Sequence, residues 1–178
     1  VTIPGATPAG TYQVLARIDA DGQVGETDEG NNEMAAGTTV EVITPTIDPA
    51  LASGTVVLPA TAVPGDKGRF LVTIENRGNT LAAGRIGIDI YASIDGVIDP
   101  LDVLVKSVDD RPLHIEPNGT ATFTLPVTLQ DNLLPATYQW LVSIDSDDAI
   151  TESDEGNNDV VLAPVATEVV WKFGNFDD

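Results

Sequence analysis

The sequence predicts an all-β chain: an immunoglobulin-like antiparallel β-sandwich of about seven strands, with part of a preceding repeat in front of it. Three observations lead there. No long window carries a 3.6-residue apolar period, whereas short segments alternating between apolar and polar residues recur between turn residues. The 16 glycines and 12 prolines are spread along all 178 residues, which leaves little room for helices. The third observation is an internal repeat. Thr11-Tyr12-Gln13 through Gly30-Asn31-Asn32 returns as Thr137-Tyr138-Gln139 through Gly156-Asn157-Asn158, 126 residues later without insertion and with 13 of 22 positions identical. Self-similarity at a fixed period marks a tandem array.

The repeat divides the chain. Residues 1–44 match 127–170 and read as the C-terminal part of a preceding repeat. Residues 45–170 read as one complete module, long enough to bury a core without cross-links. Residues 171–178 do not align with the module's start and read as the beginning of a following segment.

Within the module, strands are predicted near 54–58, 69–75, 85–92, 103–108, 121–129, 138–144 and 159–170. Turns are written as Pro64-Gly65-Asp66, Asn76-Arg77-Gly78-Asn79 and Pro117-Asn118-Gly119, residue types that tolerate turn dihedrals. Asn118-Gly119-Thr120 also matches a glycosylation sequon, but an Asn-Gly hairpin turn accounts for it. In the repeated strand, Tyr138, Trp140, Val142 and Ile144 point one way, while Gln139, Leu141, Ser143 and Asp145 point the other. The inward set of the first copy is Tyr12, Val14, Ala16 and Ile18. Trp140 stands where the first copy has Val14, so the two cores cannot pack identically. A tryptophan on the apolar face of a strand reads as core rather than as a carbohydrate platform.

The order Pro64-Gly65, Val72-Thr73-Ile74-Glu75-Asn76-Arg77-Gly78-Asn79, Tyr91-Ala92-Ser93-Ile94-Asp95, Thr137-Tyr138 and Ile144-Asp145 through Asn157-Asn158 resembles the CARDB family, the cell-adhesion-related domain found in bacteria and archaea. The likeness spans 45–170 and the tail of the preceding copy. Its most specific part is the ending Glu152-Ser153-Asp154-Glu155-Gly156-Asn157-Asn158; the Asn76-Arg77-Gly78 strand end is shared by many sandwich modules. Ala136, where the first copy has Gly10, is one departure from an exact repeat. The resemblance implies an immunoglobulin-like fold in long surface or secreted proteins, usually without catalysis.

Composition narrows the partners. A formal charge of −20 makes nucleic acid and anionic membranes poor partners, since phosphate recognition needs clustered Lys and Arg. There is no cysteine, which removes disulfides and thiolate sites. No apolar run approaches the roughly 20 residues of a membrane span. Expected partners are neighbouring repeats of the same polypeptide, with a cell-surface or glycan ligand as a further class, and the expected location is extracellular or at the cell surface.

The acids cluster in loops. Loop 145–158 offers hard oxygen donors at a density that suits Ca²⁺, which takes six to eight oxygens at about 2.3–2.6 Å. It holds no His or Cys, which disfavours zinc and copper. The order of acids is not that of an EF-hand, and no helices flank it. The candidate ligands are Asp145, Asp147, Glu152, Asp154 and Asn157, and in the first copy Asp19, Asp21, Glu26, Asp28 and Asn31. The competing reading is that Asp and Asn side chains bond nearby backbone amides, with Gly156 in a left-handed conformation. Against it stands the mutual repulsion of carboxylates on one short loop. Val24 and Ile150, one aliphatic residue in each loop, are expected to plug the end of the sandwich. The second cluster, residues 95–102, reads as a hairpin loop ahead of a second cation site.

Catalysis is not expected. The only histidine, His114, is flanked by Leu113 and Ile115, and the acids sit in surface turns rather than in an apolar pocket that would separate their pKa values. The alternative function is a carbohydrate-binding accessory module of a secreted enzyme, with Tyr91, Trp171, Phe173 and Phe176 as its remaining exposed aromatics once Trp140 is in the core. An isolated hairpin is marginal in water. Residues 1–44 are therefore expected either to pack on the complete module or to pair with a second chain in a strand-exchanged homodimer.

Overall fold

Alternation of small and β-branched residues is realised as eleven strands and two short 3-10 turns in a computed structural model that describes residues 2–162 and 166–171. No α-helix occurs among the described residues. The chain forms two units, Val1–Pro45 and Thr46–Asp178.

The first unit is a hairpin of β1 (Gly10–Arg17) and β2 (Glu33–Val42), joined by the first acidic loop and its 3-10 turn Glu29–Asn31. The strands pair antiparallel from Gly10↔Val42 to Arg17↔Glu33, with a register shift between Gln13 and Leu15.

The second unit is a sandwich of two sheets. One holds β3 (Pro49–Val57), β5 (Lys67–Asn76) and β8 (Thr120–Thr128) in the order β3-β5-β8. The other holds β4 (Thr61–Ala62), β6 (Ala82–Ser93), β7 (Val103–Ile115), β9 (Ala136–Ile144), β10 (Asp159–Val161) and β11 (Thr167–Val169). Its order is β4-β11-β9-β6-β7, with β10 also on β9. The core lies between the sheets. Phe70, Val72 and Ile74 of β5 face Ile86, Ile88 and Ile90 of β6 and the inward side of β9. Trp140 is fully buried: its ring lies 5.2 Å from that of Phe70, and its Nε1–H donates to Thr167 Oγ1 at 2.9 Å. Buried Trp usually finds such a partner for its one polar atom.

Several sequence expectations are corrected. The predicted strand 159–170 is two strands, β10 and β11, on successive stretches of β9; residues 163–165 lie outside the described residues. One pairing, β11 with β4, is parallel. β7 does not stop at Val108 but continues through Pro112 to Ile115. Asp109 and Asp110 form a bulge opposite Gly87, with Asp110 at a φ of 60°, and the pairing resumes at Arg111. Asn118 adopts a φ of 59° as a turn residue, but the turn carries the chain from one sheet to the other rather than closing a two-residue hairpin. Leu141 points away from the sandwich core as expected, yet is 2% exposed. Gly96, Val97 and Ile98 of the β6–β7 loop border the same groove as Leu141 and β10.

The register fixes the ends of the second unit. β3 starts at Pro49 opposite Asn76, the end of the sandwich that also carries the loop after Ile144. β11 ends at Val169 opposite Ala136, at the other end. The first residues of this unit thus lie beside the acidic loop, and β11 ends at the opposite pole.

Candidate cation loop

Both acidic loops fold by the same local chemistry. Asp145, in a left-handed conformation with a φ of 50°, takes the N–H groups of Ala149 and Ile150 on its two carboxylate oxygens at 3.2 and 2.9 Å. Asp19, with a φ of 42°, does the same for Gln23 and Val24 at 2.9 and 3.0 Å. Asp154 Oδ1 caps a 3-10 turn by accepting from Gly156 N at 3.0 Å, and Asp28 accepts from Gly30 N at 2.9 Å. Glu155 Oε1 accepts from Glu152 N at 2.9 Å, as Glu29 does from Glu26 N at 3.0 Å. The repeated Asp and Glu residues therefore program the path of the loop through their own backbone. The second left-handed position is Gly22 in one copy and Asp148 in the other; Gly156 does not take that conformation.

The loops differ in what surrounds them. In the second unit Ile150 is buried under the sandwich and touches the position of Gly84, whereas Val24 is exposed. Asp147 Oδ1 accepts from Gly87 N at 2.7 Å, docking the loop on the β6 bulge. Asn157 Nδ2 donates to Asp48 Oδ1 at 2.8 Å, and Ser153 N donates to the Ile47 carbonyl at 2.8 Å. In the first unit Asp21, Glu26, Asp28 and Asn31 are all exposed.

What remains after this accounting is a set of stranded oxygens. Both carboxylate oxygens of Glu152, Oδ1 of Asn157 and Oδ1 of Asn158 are buried and accept no hydrogen bond. Buried acceptors normally have partners, because burying one without costs free energy. Burial, the largest cause, raises the Glu152 pKa to about 8, and the charges of Asp145, Glu155 and Asp48 push in the same direction. The Asn158 amide opposes this, although its hydrogen bond goes to Glu155 Oε2 at 3.4 Å. Asp145 is also shifted upward, chiefly by burial, against the pull of the Ile150 and Ala149 N–H groups.

Among the described residues no three Asp, Glu, His or Cys side chains group as ligands on their own. The stranded donors are one carboxylate and two amide oxygens, so a count of acids alone does not find them. Of the residues marked by the sequence, Glu152 and Asn157 are the two left with buried, unpartnered oxygens. Asp145 and Asp154 are turned onto backbone N–H groups, and Asp147 is turned onto Gly87. The sequence alone does not single out Asp48. It comes from the first residues of the unit and has no counterpart within the first copy, so the repeat could not point to it.

The other features carry less. Asp95, Asp99 and Asp102 accept from Val97 N, Leu101 N and Asp99 N, the self-bonded pattern of a turn. His114 is exposed, 3.9 Å from Glu116. Trp140 lies in the core, Trp171 is exposed, and Phe173 and Phe176 lie outside the described residues. No helix among the described residues is long and apolar enough to cross a membrane.

Two sheets, a buried strand-centre Trp and a Tyr138 hydroxyl donating to the Leu134 carbonyl at 3.0 Å define an immunoglobulin-like sandwich with an acidic loop at one pole. The chain belongs to the CARDB family, whose profile matches residues 48–161. It is similar in fold to the CARDB domain of a Pyrococcus furiosus protein solved in complex with di-metal ions. That match is 14% identical with a TM-score of 0.50, covering 74% of this chain and all of that one. A domain described as belonging to a cell surface protein of Methanosarcina acetivorans is 19% identical over 70% of this chain and 93% of that one, with a TM-score of 0.47. A β-glucosidase from Listeria innocua in complex with glucose matches 70% of this chain but 16% of its own, at 17% identity and a TM-score of 0.40. No curated protein matches the chain.

Proposed function

We propose that this chain is a non-catalytic structural or adhesion module of a repetitive extracellular protein, and that its second acidic loop takes a divalent cation, Ca²⁺ by preference. The observation that carries this reading is the set of buried, unpartnered oxygens on one loop, both of Glu152 and the amide oxygens of Asn157 and Asn158. An all-oxygen set mixing a carboxylate with amide carbonyls suits Ca²⁺, whereas zinc favours nitrogen and sulfur. Glu152, Asn157 and Asn158 would hold the ion, with the Asp48 carboxylate adding charge beside them. The bound ion would supply the positive charge that lets Glu152 ionise in its buried position.

The di-metal complex of the Pyrococcus furiosus domain supports a cation in this family. Such a site would tie the entry residues Ile47 and Asp48 to the loop, stiffening the point where the module begins. Binding only to the folded state stabilises it by about 1.4 kcal/mol at a tenfold excess over Kd. Thermal melts with EDTA and with millimolar Ca²⁺ test the reading: a rise of several degrees with Ca²⁺ is expected, and superimposable melts would remove the cation.

A further inference from the structure

We infer that the open side of the sandwich between β7 and β8 is a docking groove for a second copy of this chain, which seats its acidic β6–β7 loop, residues 94–102, against Lys67, Lys106 and Arg111. Among the described residues β7 pairs only with β6 and β8 only with β5, so both strands present a free edge. Lys106 and Arg111 stand opposite Ile90 and Ile86, two fully buried residues, and directly paired residues share a face. Both cations therefore occupy the core-facing side of an edge strand, in a chain with 28 Asp and Glu against 8 Lys and Arg. A groove of about 420 Å³ on this side is lined by Lys67, Gly68, Val105, Lys106, Pro126 and Val127. Further along, the Arg111 guanidinium reaches from β7 to the Phe123 ring of β8, 5.4 Å from its centroid.

Inward charges on an edge strand discourage stray strand pairing. That role needs only a solvated charge. Arg111 Nε is instead buried and donates to nothing. Lys67, Lys106 and Arg111 form no ion pair among the described residues. Buried N–H groups normally have an acceptor, so unpaired cations beside Val105 and Val127 fit an occupant that carries carboxylates and apolar groups together.

The β6–β7 loop has that composition. Asp95, Asp99 and Asp102 are interspersed with Ile94, Val97 and Leu101, which are 66%, 64% and 85% exposed. One exposed aliphatic side chain is ordinary, but three in one short loop mark a contact surface. The loop is turned away from the groove of its own copy. Gly96, Val97 and Ile98 border Leu141 on the outer face of the sheet, whereas the groove lies toward the other sheet. Loop and groove both lie toward the end of β7 that starts at Val103, so a two-fold relation lets each copy serve the other and closes a dimer. The loop after Ile144 is at the opposite pole and takes no part.

Sedimentation equilibrium of this chain in EDTA tests the assignment, and the chelator keeps its failure separable from failure of the cation reading. The wild type is expected to pass from monomer to dimer as its concentration rises from micromolar to millimolar. Lys106→Glu reverses a charge in the groove, and Leu101→Lys places a like charge on the loop at an exposed position. Each variant alone should dimerise about tenfold more weakly or worse. An equimolar mixture of the two should recover the dimer, because the reversed groove of one meets the reversed loop of the other while the reciprocal contact stays native. Recovery also shows that both variants fold. A monomer at every concentration, or two weakened variants that do not recover on mixing, overturns the assignment. So does a dimer that neither change weakens, since another surface, such as the hairpin, would then hold it.

Discussion

Asn157 and Asp48 are 109 residues apart in sequence and joined by a 2.8 Å hydrogen bond from Asn157 Nδ2 to Asp48 Oδ1. Together with the Ser153 N–H on the Ile47 carbonyl, this contact fastens the acidic loop to the first residues of the second unit. The loop is both a candidate cation cradle and a clamp on the entering chain. Asp48→Ala removes the acceptor and one nearby negative charge. It is expected to weaken Ca²⁺ binding about tenfold, as loss of groups that orient ligands commonly does, and to speed proteolysis near residue 46. Calorimetric titration and limited proteolysis check this; unchanged values for both would break the link between clamp and cradle.

Glu152 gives a pH signature in the absence of cation. Its pKa in the folded state, about 8, lies above its ordinary value of 4.5, so between those values the native state binds more protons than the unfolded one. The stability from this group is complete below pH 4.5 and is lost as pH rises through 8. In EDTA the melting temperature should therefore fall between about pH 5 and 8. Glu152→Gln, which cannot ionise, should flatten that fall and melt higher than wild type at pH 8.5. Parallel pH profiles for the two proteins would count against a buried, unpartnered carboxyl.

Trp140 fills the centre of the sandwich and bonds Thr167. Trp140→Val, the residue of the first copy, opens a void under Phe70 and strands the Thr167 hydroxyl. A loss of about 3 kcal/mol is expected in a denaturant titration. A change below about 1 kcal/mol would mean that the site collapses or was never tightly packed.

Gly87 is where the loop meets β6. A Cβ there would lie 2.5 Å from Ser146 Oγ and 3.0 Å from Asp147 Oδ1. Gly87→Ala should cost about 1–3 kcal/mol and raise amide exchange across loop 145–158. Wild-type stability with normal loop protection would contradict the docking.

Much of this was legible in the sequence, and the boundary has physical causes. Period-two alternation exposes which side of β9 is buried, so Tyr138, Trp140, Val142 and Ile144 could be read directly. The repeat singles out Asp145 and Asp154, but it cannot say whether a carboxylate serves its own backbone or a metal, since both uses demand the same residue at the same place. Asp48 could not be read because contact across 109 residues leaves no local pattern. Asp109-Asp110 and Pro112 look like a turn in isolation, so local pattern ends β7 at Val108; only pairing across the Gly87 bulge lets the strand run on. Val24 and Ile150 occupy the same loop position, yet Ile150 is buried and Val24 exposed, because burial depends on the rest of the sandwich.

Calorimetric titration of Ca²⁺ into the wild-type chain and into Glu152→Gln, at pH 7 in two buffers of different ionisation enthalpy, tests the central claim most directly. Saturable binding is expected with a Kd on the order of 10⁻⁴–10⁻³ M, accompanied by proton release as Glu152 ionises, and both should vanish in the variant. Binding of the same strength in Glu152→Gln, or no binding in the wild type, would show that the stranded oxygens of this loop are not there for an ion.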